Sequence, residues 1–552
     1  MLDPLLKSLE RRGYYVQAFA DDIVMVFDGA TALEVQRQAS VALERVRVWG
    51  VENKLKFAPH KTNAMVITRK LKFDTPHLRM GGIDIGMSKE IKLLGVTIDD
   101  KLTYNTHVAN ICRKAIGIYK QLARAAKVSW GLHPEVVRTI YVAVVEPIVL
   151  YGASVWGSAA EKIGVQKQLN TIQRGFAQKM CRAYRTVSLN SALVLAGVLP
   201  LDLRIHEAAS LYRIKRGAAV PGLCDREIER LTPAMEAPHP AQTSQLELTC
   251  LKDRDDVDAN SSCAVKIFTD GSKIDGKVGA ALSVWEGDAE TKTVKLYLSS
   301  YCTVYQAELL AICVATRKIK KHTANTFAIY SDSMAALQTV TNLGALHPLA
   351  TETRENISSI SQQNKALSLF WIKAHVGLEG NERADHLAKE AAIASAKRKP
   401  DYDLCPVSFA KQILRMESLR KWGERYGSGD TAKITKMFLP NVVNAYKIVR
   451  KFEPTSQSTQ LLTGHGGISE YLHRFKCKLS PGCICDPNVS ETVPHIILEC
   501  PAFCKERYNI ENKIDRRLIA ENIPDIMIGN LRQEFLDYCL KLMYIVIDRN
   551  KT

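Results

Sequence analysis

The sequence has no long uninterrupted apolar run, no secretion signal and no regular cysteine framework. Its most apolar stretch, residues 140–156, is interrupted by Glu146 and Pro147, so we expect a buried helix there and not a membrane span. The N-terminus lacks the apolar core of a secretory signal, and the 14 cysteines are scattered apart from a C-terminal group. These absences predict a nuclear or cytoplasmic protein that is neither secreted nor bound to a membrane.

Acidic residues are outnumbered by basic ones. The chain has 75 lysine and arginine residues against 58 aspartate and glutamate residues, which gives a formal net charge of +17. This balance favours a polyanionic partner, with a merely basic protein as the alternative, and we expect no small-molecule substrate. With 552 residues, 46% of them hydrophobic, the chain has room for three or four domains.

Residues 265–270 follow the period-2 pattern of a strand, and a second apolar run follows Gly276. The pattern predicts a strand that ends at Asp270, because Gly271 interrupts it, and a second strand after a turn at Gly276. A carboxylate at the end of a strand is a candidate functional group. An Asp before a Gly is also common in ordinary turns.

Three further carboxylates follow in the same region. Glu308 lies in a stretch with apolar residues at helical spacing, Asp332 ends another apolar strand, and Asp385 lies one turn into a helix. Asn381 is placed to cap that helix. The order β-β-β-α-β-α-β-α suits an α/β sheet that gathers such groups at one edge. Four acids at one point repel one another unless cations lie between them, so we expect two Mg²⁺ ions, with Mn²⁺ as an alternative. The competing interpretation is four ordinary solvated surface residues.

These acids lie in four blocks, FTDGS, YQAELLAI, YSDSMAAL and HVGLEGNERADHLA. In order and rough spacing, the blocks resemble those of a type 1 ribonuclease H over residues 264–397. The resemblance implies a mixed five-stranded sheet with flanking helices and a two-metal endonucleolytic hydrolysis of the RNA strand of RNA–DNA hybrids. It implies metal binding by Asp270, Glu308, Asp332 and Asp385. It also implies that His375 assists proton transfer or product release, although a histidine beside glycines can simply be exposed.

The N-terminal stretch YYVQAFADDIVMVF has two apolar runs around Asp21 and Asp22. It predicts a hairpin with adjacent acids at its tip, which suits either a metal site or a polar turn. Together with Lys61 and the later stretch IKLLGVTIDDKLTYNTHV, it resembles the palm of a non-LTR retrotransposon reverse transcriptase. Only 18 residues precede Phe19, whereas that family places another metal-binding Asp and the fingers upstream. The resemblance therefore implies a truncated α+β palm over residues 1–104, with vestigial polymerase positions to which we assign no reaction.

The remaining segments divide by composition and periodicity. Residues 105–230 show helical spacing and resemble the thumb and the helical region that follows it. Residues 231–262 contain several prolines and an acidic run without apolar periodicity, which predicts a linker. The ribonuclease H-like domain is expected over residues 263–398, and a mostly helical tail over residues 399–552.

The tail contains a C-x-C-x9-H-x4-C pattern formed by Cys483, Cys485, His495 and Cys500. Three thiolates and one imidazole suit a tetrahedral structural Zn²⁺ site, and a packed cysteine cluster without metal is the alternative. Cys477 and Cys504 are spare thiols that would serve as substitute ligands. The stretches LLTGHGGISEYLHRFKC and HIILECPAF resemble the tail after ribonuclease H in arthropod-type non-LTR elements, whose CCHC knuckle is thought to hold nucleic acid.

Over nearly its full length, the chain thus resembles the C-terminal portion of a non-LTR retrotransposon reverse-transcriptase polyprotein. The resemblance implies a nucleic-acid partner, in particular an RNA–DNA hybrid. Two alternatives are a catalytically silent nucleic-acid-binding remnant and part of a longer RNA-directed DNA polymerase. The intact set of four acids argues against the first. The missing upstream Asp argues only against polymerase activity in this chain by itself, so the second alternative stays open.

Overall fold

The computed structural model describes residues 2–128, 130–218, 226–235, 246–252, 256–257, 262–374, 377–450 and 453–551. The chain divides into two compact units. Unit 1 comprises Met1–His206 and Leu419–Thr552, and unit 2 comprises Glu207–Ser418. This division into two units does not test the five domains expected from the sequence, which stay a prediction.

Unit 1 begins with a small α+β arrangement around one apolar core. Its elements are α1 (Asp3–Glu10), β1 (Tyr15–Phe19), β2 (Asp22–Val26), α2 (Ala32–Glu52), β3 (Asn63–Ala64), β4 (Arg79–Met80), β5 (Ile83–Asp84), β6 (Gly86–Met87), β7 (Glu90–Leu93) and β8 (Val96–Asp99). Strands β1 and β2 form the expected antiparallel hairpin, with Phe19 opposite Asp22. Leu5, Leu9 and Val16 pack against the apolar face of α2 in the core beneath them.

A helical region follows, as the sequence predicted. It contains α3 (Asn105–Ala125), α4 (Pro134–Ile140), a π-helical segment (Tyr141–Val145), α5 (Glu146–Leu150), α6 (Ala153–Trp156), α7 (Ile163–Met180), α8 (Leu189–Ala196) and α9 (Leu201–Lys215). Among the described residues, no single helix is long and apolar enough to span a membrane. One bent pair of helices, Pro134–Leu150 with Ala153–Glu161, has the length and composition of a membrane span, but this is the only evidence for one.

The single buried helix expected over residues 140–156 is wrong in two respects. The helix continues through Pro147, which directly follows Glu146 and the π-helical segment, and ends at Leu150. Gly152 adopts a left-handed conformation with φ +63°, and the next helix is bent by 53° from the first. It is also buried on one face only. The buried residues are Tyr141, Val145, Val149, Ala153 and Trp156, and the exposed apolar ones include Val142, Val144 and Val155.

Unit 2 is built on a six-stranded mixed sheet. Its strands are β9 (Leu248–Leu251), β10 (Val265–Ile274), β11 (Lys277–Glu286), β12 (Ala289–Leu298), β13 (Thr326–Ser331) and β14 (Ala366–Ile372), in the order β12-β11-β10-β13-β14-β9. The first three strands of that order are antiparallel, and β10, β13, β14 and β9 are parallel. The five predicted strands are therefore present.

The sixth strand, β9, corrects the expectation that residues 231–262 are only a linker. Its sequence, Leu-Thr-Cys-Leu, is too short to show an alternating pattern, so periodicity gave no signal. It forms because the edge of β14 offers unpaired backbone groups, and Leu369 to Ile372 pair with Leu248 to Leu251 in register.

Helices cover both faces of this sheet. They are α10 (Val304–Lys321), α11 (Met334–Thr341), α12 (Pro348–Gln362) and α13 (Glu379–Ala394). The next helix, α14 (Val407–Ser428), packs on Ile214 and Ile228 through Ala410 and Phe409. Ile267 of β10 points into a core that α10 and α12 share. On the other face, Phe268 stacks on Tyr330, and Ala281 packs against Leu387 and neighbouring residues of α13. The result is the predicted layered α/β fold.

The tail is mostly helical, as expected. It contains α15 (Lys433–Phe438), α16 (Val442–Val449), α17 (Ser456–Thr463), α18 (Ser469–Arg474), a π-helical segment (His495–Glu499), α19 (Cys504–Ile514), α20 (Ile523–Ile528) and α21 (Arg532–Arg549). The fully buried Glu491 accepts hydrogen bonds from the backbone N–H of Ser469 at 3.0 Å and from Asn550 at 2.7 Å, and it also pairs with Arg549. This carboxylate anchors the long loop before His495 to the end of α21.

Asp99 organises the turn between β8 and α3. Its carboxylate accepts hydrogen bonds from the backbone N–H groups of Lys101 at 3.2 Å, Thr103 at 2.9 Å and Tyr104 at 2.5 Å. Burial raises the pKa of Asp99, but these bonds outweigh it, so the folded-state pKa lies below the ordinary value. The stabilisation is therefore present above the unfolded-state pKa and is lost as the pH falls through the folded-state pKa.

We expect Asp99→Ala to lower the free energy of unfolding at neutral pH by about 2 kcal/mol, because several donors lose their acceptor. Urea denaturation of the full chain measures the free energy of unfolding of the variant and of wild type. The difference between the two should become smaller at acidic pH. Asp100→Ala is the matched control. An equal loss in both variants, or a difference that does not change with pH, would contradict the role given to Asp99.

Candidate active site and metal-ligand clusters

Asp270 lies within β10 and not at its end, which corrects the sequence prediction. The strand continues to Ile274, and the hairpin turn is formed by Asp275 and Gly276, at φ +49° and +78°. Gly271 has a packing role instead of a turn role. A Cβ atom at this position would lie 2.7 Å from the backbone nitrogen of Glu308, so only glycine lets α10 approach the strand this closely.

Three of the predicted carboxylates converge on one point of the sheet. Asp270 comes from β10, Glu308 from the second turn of α10, and Asp332 directly follows β13. Each offers an oxygen, and these oxygens lie within 4.8 Å of one another. Asp270 and Glu308 are 7% and 6% exposed. The indole N–H of Trp371 donates to the backbone carbonyl of Asp332 at 2.9 Å, which fixes that end of the cluster.

The electrostatics of the cluster follow from burial and like charges. Burial, with the nearby charges of Asp332 and Asp385, raises the pKa of Asp270 to about 7, against the opposing effects of a backbone N–H and Lys389. Burial, with Asp270 and Asp332, raises the pKa of Glu308 well above its ordinary value. Glu308 Oε2 is buried and has no hydrogen-bond partner. A buried oxygen acceptor without a donor, inside a set of anionic groups, fits a cation ligand.

Asp385 lies beside this cluster but outside its tightest group. Its carboxylate accepts a hydrogen bond from Lys389 Nζ at 2.6 Å, one turn further along α13. This contact and the charge of Asp270 raise the pKa of Lys389. The prediction that Asn381 caps the helix is wrong, because the cap position is Leu378 and Asn381 is buried with an unpartnered Oδ1.

Lys389 was not singled out from the sequence. Its spacing of four residues from Asp385 was the available signal, since residues four apart lie on one face of a helix. His375, the predicted loop histidine, lies outside the described residues.

The four predicted zinc ligands meet in the tail. One ligand atom each of Cys483, Cys485, His495 and Cys500 lies within 4.8 Å of the others. Cys483 Sγ and Cys500 Sγ are 3.7 Å apart, and Cys485 Sγ lies 3.2 Å from His495 Nε2. Thiols and an imidazole in one compact group fit a tetrahedral Zn²⁺ ion. Of the described cysteines, none forms a disulfide, and the spare thiols of Cys477 and Cys504 are exposed.

The N-terminal acids are placed differently. Asp21 and Asp22 sit at the tip of the β1–β2 hairpin and are exposed, as is Lys61 at the end of a short 3₁₀ turn, Pro59–Lys61. Within the part of the chain that the structure describes, neither Asp belongs to a group of three or more potential ligands. The hairpin is confirmed, and the residues that the structure describes form no metal-ligand group around it.

Comparisons with known proteins agree with this arrangement. A family model described as RNase H matches residues 262–393. The chain is 31% identical over 219 residues to the Putative 115 kDa protein in type-1 retrotransposable element R1DM of Drosophila melanogaster, which covers 39% of this chain and 21% of that protein. It is 28% identical over 207 residues to the Retrovirus-related Pol polyprotein from type-1 retrotransposable element R1 of Nasonia vitripennis, covering 37% of this chain and 61% of the relative.

A third relative matches a shorter part of the chain. Ribonuclease H1 of Rattus norvegicus is 27% identical over 146 residues, covering 24% of this chain and 51% of the relative. The chain thus spans between about a fifth and three fifths of the length of these relatives. It carries a ribonuclease H domain and is homologous to the Pol polyproteins of R1-type non-LTR retrotransposons.

Proposed function

We propose that this chain hydrolyses the RNA strand of RNA–DNA hybrids endonucleolytically. The observation that carries the proposal is the convergence of Asp270, Glu308 and Asp332 within 4.8 Å, with one carboxylate oxygen buried and unpartnered. Asp385 completes the set from α13. The match of residues 262–393 to the RNase H family supports the reaction class, and the net charge of +17 supports a nucleic-acid substrate.

The residues at this site fit Mg²⁺, for which carboxylate oxygens are the preferred ligands, and Mn²⁺ accepts the same donors. Asp270, Glu308, Asp332 and Asp385 would hold two such ions. When bound, divalent ions of this kind promote attack by water and stabilise the leaving oxygen of a phosphodiester.

The side chains themselves set the conditions for this chemistry. The raised pKa values of Asp270 and Glu308 mean that cations and protons compete for the same oxygens. Lys389 Nζ donates to the Asp385 carboxylate at 2.6 Å, and we propose that this contact fixes the carboxylate beside the cluster. His375 is proposed to assist proton transfer or product release. Selection of RNA would come from its 2′-hydroxyl groups, which only one strand of a hybrid presents.

For the tail, we propose a structural Zn²⁺ site formed by Cys483, Cys485, His495 and Cys500. The compact geometry of one imidazole and three thiols supports it, with a metal-free cysteine cluster as the competing interpretation. No polymerase reaction is proposed for Asp21 and Asp22, which are exposed and meet no third acid in the described ranges.

Asp270→Asn should reduce hybrid cleavage by about 10³-fold or more, because the variant loses a charged ligand of the proposed metal ions, which stabilise the charge that develops in the reaction. Binding of the hybrid should remain within a few-fold of wild type, since phosphate contacts supply most affinity. Cleavage is measured with labelled RNA in a hybrid, and binding by fluorescence anisotropy. Asp275→Asn, in the exposed hairpin turn five residues away, is the matched control. Full activity in Asp270→Asn would rule out this site.

Purified full-length chain should contain about one zinc ion, measured by mass spectrometry of the metal, and should lose thermal stability on chelation, because metal binding contributes folding free energy. Cys485→Ser should abolish the bound zinc, whereas Cys477→Ser, which changes an exposed thiol, should not. A zinc-free chain with the same melting temperature before and after chelation would favour the metal-free cluster.

A further inference from the structure

Two segments outside the family-matched residues form hydrogen bonds with each other and with the ribonuclease H domain. We call residues 226–232 and 401–406 the clamp. They pair with each other, since Glu229 N donates to Cys405 O at 2.9 Å and Cys405 N donates to Glu227 O at 2.7 Å. They also pair with the domain. Thr232 N donates to Leu346 O at 2.9 Å, so the clamp reaches the loop before α12.

The second segment of the clamp continues this attachment. Ser299 N donates to Tyr402 O at 3.1 Å, just after β12, and the Tyr301 hydroxyl donates to Asp403 O at 2.6 Å. This segment therefore attaches to the chain between β12 and α10, which leads directly to the helix that carries Glu308.

Glu229 is the charged centre of the clamp. One of its carboxylate oxygens accepts a hydrogen bond from Gln306 Nε2 at 2.9 Å and another from the Tyr402 hydroxyl. The other oxygen lies 3.2 Å from His347 Nε2. The Glu229 and His347 side chains are only 11% and 12% exposed. Burial raises the pKa of Glu229, but the contacts of His347, Tyr402 and Gln306 outweigh it and lower the pKa overall, so the carboxylate is anionic at neutral pH.

Gln306 connects this centre to the candidate active site. It forms a capping box with Thr303 at the start of α10, and its amide also donates to Leu404 O at 3.2 Å. Glu308 follows two residues later. Its backbone nitrogen is packed so closely on Gly271 that a Cβ atom there would lie 2.7 Å away. The first turns of α10 thus have little room to move against β10. A shift of the capping residues would therefore move the Glu308 carboxylate relative to Asp270.

We propose that Glu229 is a positioning residue for Glu308, and that the clamp is a working part of the ribonuclease site and not a passive linker. The inference rests on the proposed function, because it assigns Glu229 an effect on cation binding by the carboxylates. Groups that hydrogen-bond directly to metal ligands change metal affinity or activity by about 10- to 100-fold when removed. Glu229 acts on Glu308 only through Gln306, so we expect an effect at the lower end of that range.

The test is calorimetric titration of the full chain with Mn²⁺, which needs no cleavage. Glu229→Ala should weaken Mn²⁺ binding about tenfold, after correction for the folded fraction measured by circular dichroism. It should also lower kcat for the hybrid with little change in KM. Glu229→Gln restores an oxygen acceptor for Tyr402 and Gln306 and should recover most of the affinity. Glu227→Ala, an exposed acid in the same segment, is the matched control.

A residue with only a structural role would lower the folded fraction and leave Mn²⁺ affinity per folded molecule unchanged, which would overturn the proposal. If Glu229→Ala does not fold, Tyr402→Phe removes a single donor to Glu229, and it should weaken Mn²⁺ binding in the same direction by a smaller factor. Unchanged affinity in Tyr402→Phe would then overturn it.

Asp270→Asn separates this inference from the proposed function. If Mn²⁺ binding is lost in Asp270→Asn but unaffected in Glu229→Ala, only the positioning role is wrong. If Mn²⁺ binding is the same in wild type and Asp270→Asn, the proposed carboxylate metal site is contradicted. The positioning role of Glu229 is then contradicted as well, because it depends on that site.

Discussion

Mutual repulsion among buried carboxylates is the constraint on which the functional part of this structure depends. Two unit charges about 4 Å apart repel by about 4 kcal/mol at the effective dielectric constant near a protein surface. Burial adds to this cost, which is why the pKa values of both Asp270 and Glu308 are raised. Such a cluster is relieved either by protons or by cations. Its cost in stability is understandable if the arrangement serves a cation-dependent reaction.

The surrounding fold supplies the stability that holds the acids together. The strand β10, the start of α10 and the end of β13 each contribute one carboxylate. None of these carboxylates can move away from the others unless the sheet or α10 also moves. The apolar core shared by β10, α10 and α12 fixes these elements, and Gly271 allows their close approach. Outside the family-matched residues, Glu229 braces the start of α10 through Gln306. In the tail, too, a residue outside the ligand group fixes the segment that carries the ligands, because Glu491 anchors the loop that carries the thiols.

The sequence predicted the parts of the fold that local patterns encode. The β1–β2 hairpin, the five central strands and the helical region follow from periodicity, and the three converging acids and the cysteine–histidine group follow from recognisable blocks. Features that depend on a distant partner escaped it. Strand β9 exists because β14 has an open edge, and Gly271 is required because α10 packs closely against it. The partners of Glu229 are 77 to 173 residues away along the chain, so no local pattern could reveal them.

The most direct measurement is the substrate selectivity of the wild-type chain. The same labelled RNA strand would be presented with Mg²⁺ in a hybrid with DNA, in a duplex with RNA, and alone, and the ends of the products would be analysed. We expect internal cleavage of the RNA in the hybrid only, with 5′-phosphate ends, because the proposed leaving group is the 3′-oxygen. Cleavage of all three substrates, or of none while the hybrid is still bound, would contradict it.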